Sequence, residues 1–565
     1  MEIGLDSRIP TYSGGLGVLA GDTIKSAADL GLPLVAVTLL SRKGYFHQEL
    51  SADGTQIEHP ADWDPADHLE LLPNRISVTI EGRKVLVQAW RYDVESLAGT
   101  IVPVYFLDTD IEGNAAQDRS LTDHLYGGDS AYRLKQEIVL GIGGLMMLND
   151  LGISVYKYHL NEGHSALLTL ELLQWYKRDI RAVWDEKLIW DIEAVRERCI
   201  FTTHTPIEAG HDKFPYDLVE STLGKQLPIE ILKELGGADH LNMTLLALNL
   251  SNYVNGVAKK HGEVSRQMFR GYHIHSITNG IHPYSWACDA MKKVFDRHIP
   301  GWANEPELFV RADAIPDEEI WNGHMEAKRS LLEKVRELTG VVMSPDRFTI
   351  GFARRATSYK RANLLFTDLE RLADIGDGKL QIIYAGKAHP QDGPGKEMIK
   401  EIFRHAQSLR GRVDVVYLPG YSIELAAVLL AGVDIWLNTP LRPMEASGTS
   451  GMKTALNGVP NFSVLDGWWI EGHIEGVTGW SIGPAPSDKQ AADHNGSGDA
   501  EDLYRKLAET ILPLYYGDRA GWIKVMKNAI SKNAYYFNSH RMMRRYVTNA
   551  YITTHQHPMD VGEDT

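Results

Sequence analysis

The chain has 565 residues, 23% of them charged and 44% hydrophobic, an ordinary globular mix that excludes disordered, collagen-like and coiled-coil classes and suits roughly three or four domain-sized units or two large ones. Its 58 basic and 74 acidic residues give a net charge of −16, which excludes nucleic acid or an anionic membrane held by a global positive field, so any phosphate must meet a local basic cluster. Cys199 and Cys288 are the only cysteines, too few for a disulfide framework or a Cys-rich metal site, and no metal is expected.

Residues 1–10 (MEIGLDSRIP) carry charges and none of the apolar core of a secretory signal. From Gly17 onward, short β-rich runs alternate with helical stretches, the signature of βα units on a parallel sheet. Residues 20–30 read as a helix and 32–40 (LPLVAVTLL) as a strand buried on both faces. Residues 84–94 and 100–107 read as a meander laid on the first domain, and 132–148 as a long helix before a strand into His159. The apolar runs 138–148 and 426–437 are about half the ~20 residues a membrane helix needs, and a cytoplasmic location is expected. A second series of buried strands, 348–353, 380–384, 413–418 and 433–437, reads as a doubly wound domain. Residues 279–344, Trp-rich and then charged helix, read as the connection between the two series. Residues 483–499 read as a surface loop, with Asp499 and Asp502 as a capping-box-like start for a helix at Leu503. Two α/β domains imply a cleft, with chemistry on the loops that follow the strands.

Three loops carry the candidate chemistry. Residues 13–22 (SGGLGVLAGD) open a helix, where glycines let backbone N–H groups approach an anion; the spacing is not that of a dinucleotide site, and a tight packing turn explains it equally well. Residues 354–361 (RRATSYKR) place four cations in eight positions directly after a buried strand, which favours phosphate binding over a solvated charge run. Lys387, in YAGKAHP after the next strand, adds a further charge. Residues 445–453 (EASGTSGMK) combine free amides and hydroxyls with Lys453 beside Met452, Ala455 and Leu456. Such a lysine is either a snorkelling surface residue or a desolvated amine suited to a Schiff base. His164 and His204 follow strand-like segments and favour a site, whereas His273, His275, His555 and His557 have no companions at ligand spacing. Trp468 and Trp469 read as core or wall residues, with a sugar-stacking platform as the alternative.

Taken in order, SGGLGVLAGD, NEGHSA, FTTHTPIEAGHDKF, VNGVAKKHGEV, SITNGIHP, RRATSYKR, YAGKAHP, EASGTSGMKTALNG and LDGWWIEG resemble the α-glucan (glycogen, starch, maltodextrin) phosphorylases, most closely the shorter prokaryotic type, over about residues 1–551. The resemblance implies an α/β GT-B fold, two doubly wound Rossmann-like domains facing a central cleft. Residues 1–290 would form the N-terminal domain on the phosphate and glucan side, 291–535 the cofactor-binding domain, and 536–565 a helix packing back on the first domain, and a tail. It implies pyridoxal 5′-phosphate on Lys453, with the 5′-phosphate doing the chemistry. By the same resemblance, that group would exchange a proton with inorganic phosphate, which would protonate the glycosidic oxygen and then capture an oxocarbenium-like sugar on the same face, giving α-glucose 1-phosphate.

By motif matching, the resemblance implies that Arg354 and the backbone of Thr449 and Ser450 hold the cofactor phosphate, with Tyr421 near the pyridine ring. Arg355, Lys360 and the Gly15 amide would hold the substrate phosphate. Glu445, Ser447 and Gly448 would bind sugar hydroxyls, with His204 and His164 on the sugar side and Asn279 on its far side. The partners implied are an α-1,4-glucan and inorganic phosphate, with the oligomeric state open, a homodimer included. The resemblance also implies a first strand ahead of SGGLGVLAGD, for which this sequence offers about a dozen residues. The regulatory N-terminal region of long animal-type members has no counterpart, so phosphorylation and nucleotide control are not carried over. Arg354 stands where long members have Lys, a charge-preserving change. A nucleotide-sugar glucosyltransferase of the same fold and a catalytically silent glucan-binding protein remain the rival readings.

Overall fold

The computed structural model describes residues 1–183, 185–224, 227–484 and 498–552. Residues 1–12 form no strand, yet Met1, Ile3, Leu5 and Ile9 are buried, and the Met1 carbonyl accepts from Thr38 Oγ1 at 2.9 Å. The helix Gly15–Asp29 begins within the glycine motif itself, five residues before the expected start. It packs Leu19, Ile24, Ala27 and Ala28 into a core shared with the late helix Ser539–Tyr546, through Met542, Met543 and Tyr546.

Residues 32–40 depart from the expectation of a doubly buried parallel strand. Only Ala36–Leu39 is a strand, and it sits at the edge of a mixed sheet, its first two residues half-buried. Pro33 has no N–H to donate to a ladder, which delays the strand. Ala36–Leu39 pairs in parallel with Ile101–Asp108, which continues antiparallel to Arg83–Glu95 and Glu70–Ile80, so the expected meander completes this sheet. A second sheet is wholly parallel, with Tyr158–Asn161, Cys199–Thr202, Tyr253–Gly256 and His275–Ser276 side by side. The helical run before it is Ser130–Ile138, a wide turn at Val139–Gly143, and Gly144–Asp150.

The third sheet is parallel and six-stranded. Its spatial order is Asp414–Leu418, Leu380–Ala385, Phe348–Ala353, Ile435–Asn438, Asn461–Val464, Gly479–Ile482, a doubly wound order that reverses beside Phe348–Ala353. Five of the six strands are buried along their whole length, because helices cover both faces of such a sheet. Asn461–Val464 and Gly479–Ile482 extend the four strands legible in the sequence.

Residues 279–344 are more than a connection. The helices Asp289–His298 and Asp317–Thr339 bury Phe295, Leu331 and Val335, and with Trp302 and Phe309 these join the same core as the six-stranded sheet. The helix expected from Leu503 starts at Asp499, with Gly498 at its N-cap. Asp499 does not cap it; buried, its carboxylate pairs with Arg361 at 2.6 Å and Arg442 at 2.9 Å. Residues 485–497 of the expected surface loop, and His555 and His557, lie outside the described residues.

A hairpin, His47–Leu50 and Gln56–His59, reaches from the first half of the chain to the loop after Leu380–Ala385. Gln48 Nε2 donates to the Gly386 carbonyl at 2.8 Å, and Gln56 exchanges two bonds with Ala388, at 3.0 and 2.9 Å. No described helix is long and apolar enough to cross a membrane.

Candidate active site

In a doubly wound sheet, ligands bind in the crevice outside the carboxyl ends of the strands where the order reverses. Here those strands are Phe348–Ala353 and Ile435–Asn438. Arg354 and Arg355 follow the first directly, and the second runs through the EASGT loop into the helix Ser450–Leu456. The topology therefore places two of the three candidate loops at one crevice.

Arg354, Lys360 and Glu445 meet there. Glu445 Oε2 accepts from Lys360 Nζ at 2.5 Å and from Arg354 Nη2 at 2.8 Å, with all three side chains largely buried. Burial pushes the Glu445 carboxyl up, but the Arg354 and Lys360 charges outweigh it and hold the group below the usual carboxylate range. Two cations against one carboxylate leave the trio one positive charge in excess. Arg355 is exposed beside it, its Nη2 3.5 Å from Ser13 Oγ, so the SGGLG turn and the RRATSYKR loop face each other.

In the EASGT loop, Gly448 has φ +75°, a conformation that costs a side-chain-bearing residue. Ser447 is buried, and its Oγ has no partner among the described residues. Thr449 occupies the helix N-cap without a side-chain cap bond, and Ser450 Oγ accepts from Trp436 Nε1 at 3.1 Å. Lys453 lies on the buried helix that follows, its ammonium 3.9 Å from the centroid of the Trp286 ring. Burial lowers its pKa to about 8, and no carboxylate lies within ion-pair distance among the described residues. Of the two fates left open for this lysine, the structure gives the desolvated amine. Tyr421 is half-buried, with its phenol pushed well up by burial.

The other expected residues line the first half of the chain. Gly15 is exposed, and a Cβ built there meets nothing within 4 Å. The first-turn amides of its helix have no intrahelical acceptor; the Glu2 carboxylate takes those just upstream, Ser13 N at 2.6 Å and Gly14 N at 3.2 Å. His204 donates its backbone N–H to Glu162 Oε2 at 2.7 Å and sets Nε2 2.6 Å from Asn161 Oδ1. Burial lowers its ring to about 3 and takes the buried His164 well below the usual range, so both are neutral at pH 7. Asn279 is buried with Oδ1 unpartnered, and its carbonyl accepts from Arg541 Nη2 at 3.0 Å. Among the described residues, no hydrogen bond or ion pair joins His164, His204, Asn279 or Tyr421 to the Arg354–Lys360–Glu445 trio.

Lys387 makes no hydrogen bond or ion pair with the trio among the described residues: its ammonium donates to the Phe46 carbonyl at 2.9 Å, and burial lowers its pKa to about 8. Trp468 and Trp469 are buried core residues, which removes the sugar-stacking alternative. Three residues of the site escaped the sequence reading. Asp466 accepts from the Glu445 backbone N–H, Trp286 covers Lys453, and Asp22 accepts the Trp286 indole N–H with both oxygens at 2.9 Å. Asp22 and Asp466 stand inside the motifs SGGLGVLAGD and LDGWWIEG, but the strand before Asp466 has no apolar run to mark it, and Trp286 carried no signal. No group of three or more His, Cys, Asp or Glu side chains among the described residues is placed to hold a metal ion.

The family model described as carbohydrate phosphorylase matches residues 229–477. A maltodextrin phosphorylase of Thermococcus litoralis is 41% identical over 98% of this chain and 70% of its own length. A glycogen phosphorylase of Aquifex aeolicus is 35% identical over 97% of this chain and 85% of its own, and one of Mycobacterium tuberculosis is 36% identical over 98% and 70%. With the crevice formed by the matching loops, these similarities have one conclusion: the chain belongs to the carbohydrate phosphorylase family.

Proposed function

We propose that the chain is an α-1,4-glucan phosphorylase, releasing the terminal glucose of a maltodextrin or glycogen as α-glucose 1-phosphate, in the cytoplasm, on a GT-B fold. In this reading residues 1–290 and 291–535 are the two domains facing the cleft, and 536–565 return to the first. The observation that carries it is the buried Lys453 amine, in no ion pair among the described residues, one helix turn beyond the loop of Glu445 and its two cations.

These residues fit pyridoxal phosphate. An aldehyde condenses with a neutral amine, and burial lowers the Lys453 pKa to about 8 so that a sizeable neutral fraction exists near pH 7.5. Bound there, the cofactor supplies a phosphate that exchanges a proton with the substrate phosphate. Arg354 and the backbone of Thr449 and Ser450 would hold the cofactor phosphate, and Tyr421 would wall the ring. Arg355, Lys360 and the Gly15 amide would hold the substrate phosphate. Two unit charges of like sign 4 Å apart repel by about 4 kcal/mol at an effective dielectric of about 20, so two adjacent phosphates require fixed cations. Arg354 and Lys360 supply them once phosphate takes the place of Glu445 on these cations. Glu445, Ser447 and Gly448 are then free for sugar hydroxyls; the unpartnered Ser447 Oγ and Asn279 Oδ1 support that use. His204 and His164, neutral, line the sugar side without adding charge.

The test is phosphorolysis: purified protein with maltodextrin should release glucose 1-phosphate only when phosphate is present. Borohydride reduction followed by peptide mass spectrometry should find a pyridoxyl group on Lys453. Transfer from a nucleotide-glucose donor without phosphate would overturn the reading.

A further inference from the structure

Asp466 follows the strand Asn461–Val464, at the same end of the sheet as Arg354, and is 3% exposed. Its two carboxylate oxygens are divided between two backbone amides. Oδ2 accepts the Glu445 N–H at 2.8 Å and Oδ1 the N–H of Gly467 at 2.9 Å. The next residues close the join from the other side, since Trp468 N donates to the Ser447 carbonyl at 2.9 Å and a Cβ on Gly467, at φ +55°, would lie 2.3 Å from that oxygen. The LDGWW turn is thus laid against the EASGT loop, with Asp466 at its Glu445 end.

No lysine or arginine pairs with Asp466 among the described residues, and burial pushes its carboxyl up to about 7 despite the Glu445 N–H it accepts. A buried carboxyl without a cation is a poor device for holding a fold, and two well-placed acceptors are what an exacting loop requires. Glu445 is the side chain whose direction depends on that loop, reaching the two cations through a backbone otherwise made of small residues.

Resting on the phosphorylase reading above, we infer that Asp466 is a positioning residue, which fixes the backbone at Glu445 so that its carboxylate faces the cations and the sugar. Asparagine in its place offers one acceptor and turns an NH₂ group toward one of the two amides, so the two-bond clamp that joins the LDGWW turn to Glu445 is broken while volume is kept.

The experiment is a double-mutant cycle on the pyridoxal-loaded protein, reading maltopentaose affinity by calorimetry and phosphorolysis alongside. Asp466→Asn and Glu445→Gln should each weaken maltopentaose binding tenfold or more, and the double variant should lie within threefold of Glu445→Gln alone, with the Lys453 pyridoxyl content unchanged. Asp466→Asn within threefold of the parent, or a double variant showing the product of the two single effects, overturns the inference. If Asp466→Asn does not melt cooperatively, Asp466→Ser is read against the same thresholds, and failure of both to fold also overturns it, because the residue then serves the fold. A parent that neither binds maltopentaose nor releases glucose 1-phosphate overturns the phosphorylase reading; a parent that does both with an additive cycle overturns the role of Asp466 alone.

Discussion

The Lys453 ammonium lies over the Trp286 indole, 3.9 Å from the ring centroid, and the N–H of that indole donates to both carboxylate oxygens of Asp22. Asp22 thus makes no ion pair with Lys453 among the described residues; its charge favours the protonated amine from a distance, and burial outweighs it. An ion pair would have kept Lys453 protonated; the ring face offers the charged form a weaker attraction, and burial lowers its pKa to about 8 from the usual 10.5.

The neutral amine should then govern cofactor loading. Below about pH 8 the neutral fraction rises tenfold per pH unit, and above it the fraction saturates. Stripped protein mixed with pyridoxal phosphate should load at a rate that follows this curve, read by absorbance. The folded stripped protein also binds fewer protons at Lys453 than the unfolded chain between pH 8 and 10.5, so its stability should rise across that window. A loading rate still climbing tenfold per unit between pH 9 and 10 would contradict the lowered value.

Lys360→Met should be costly in two separable ways. It leaves Glu445 buried with Arg354 alone, and breaking a buried pair costs about 3–5 kcal/mol, less here because one cation remains. Melting temperature should fall, and the double variant Lys360→Met, Glu445→Gln should recover most of it, since no orphaned carboxylate is left. The KM for phosphate should rise at least tenfold in both variants, because the substrate cation is gone. A stability loss without recovery in the double variant would remove Glu445 as its cause.

How much of this could be read from the chain follows from where the partners lie. The strands Phe348–Ala353, Leu380–Ala385, Asp414–Leu418 and Ile435–Asn438 announce themselves as apolar runs because both faces are covered. Asn461–Val464 hides because Asn461 is polar; its amide is buried by donating to the Gly451 carbonyl at 2.9 Å, a bond no local pattern reveals. Arg354, Lys360, Glu445 and Lys453 were legible from their loops. Their covering residues were not, since Asp22 and Trp286 stand 264 positions apart and only the fold joins them. Residues 279–344 misled for a related reason: a charged helical face reads as a linker until its apolar stripe finds a sheet.

Asp499 ties the two loops of the crevice from behind. It is 1% exposed and bridges Arg361, which also donates to the carbonyls of Thr439 and Pro440, and Arg442. Asp499→Asn keeps the shape and removes the charge, leaving two arginines close together without a counterion. A loss of about 2–4 kcal/mol in chemical denaturation is expected, with maltodextrin KM rising as the EASGT loop loosens. Unchanged stability would mean that the backbone carbonyls alone hold Arg361.

The glycines of SGGLGVLAGD separate packing from binding. A Cβ at Gly21 would lie 1.9 Å from the Gly4 carbonyl oxygen, so Gly21→Ala forces backbone apart and should cost about 3 kcal/mol or more. At Gly15 a Cβ meets no protein atom within 4 Å, and alanine is the better helix former, so Gly15→Ala should melt at or slightly above the parent temperature. If the Gly15 amide holds the substrate phosphate, that methyl group crowds the anion at the start of the helix. The expected result is a KM for phosphate raised at least fivefold, with the Lys453 pyridoxyl group retained and maltopentaose affinity within twofold of the parent. A Gly15→Ala protein with unaltered phosphate KM would show that the turn serves only packing, and the cations of the RRATSYKR loop would then hold the substrate phosphate without it.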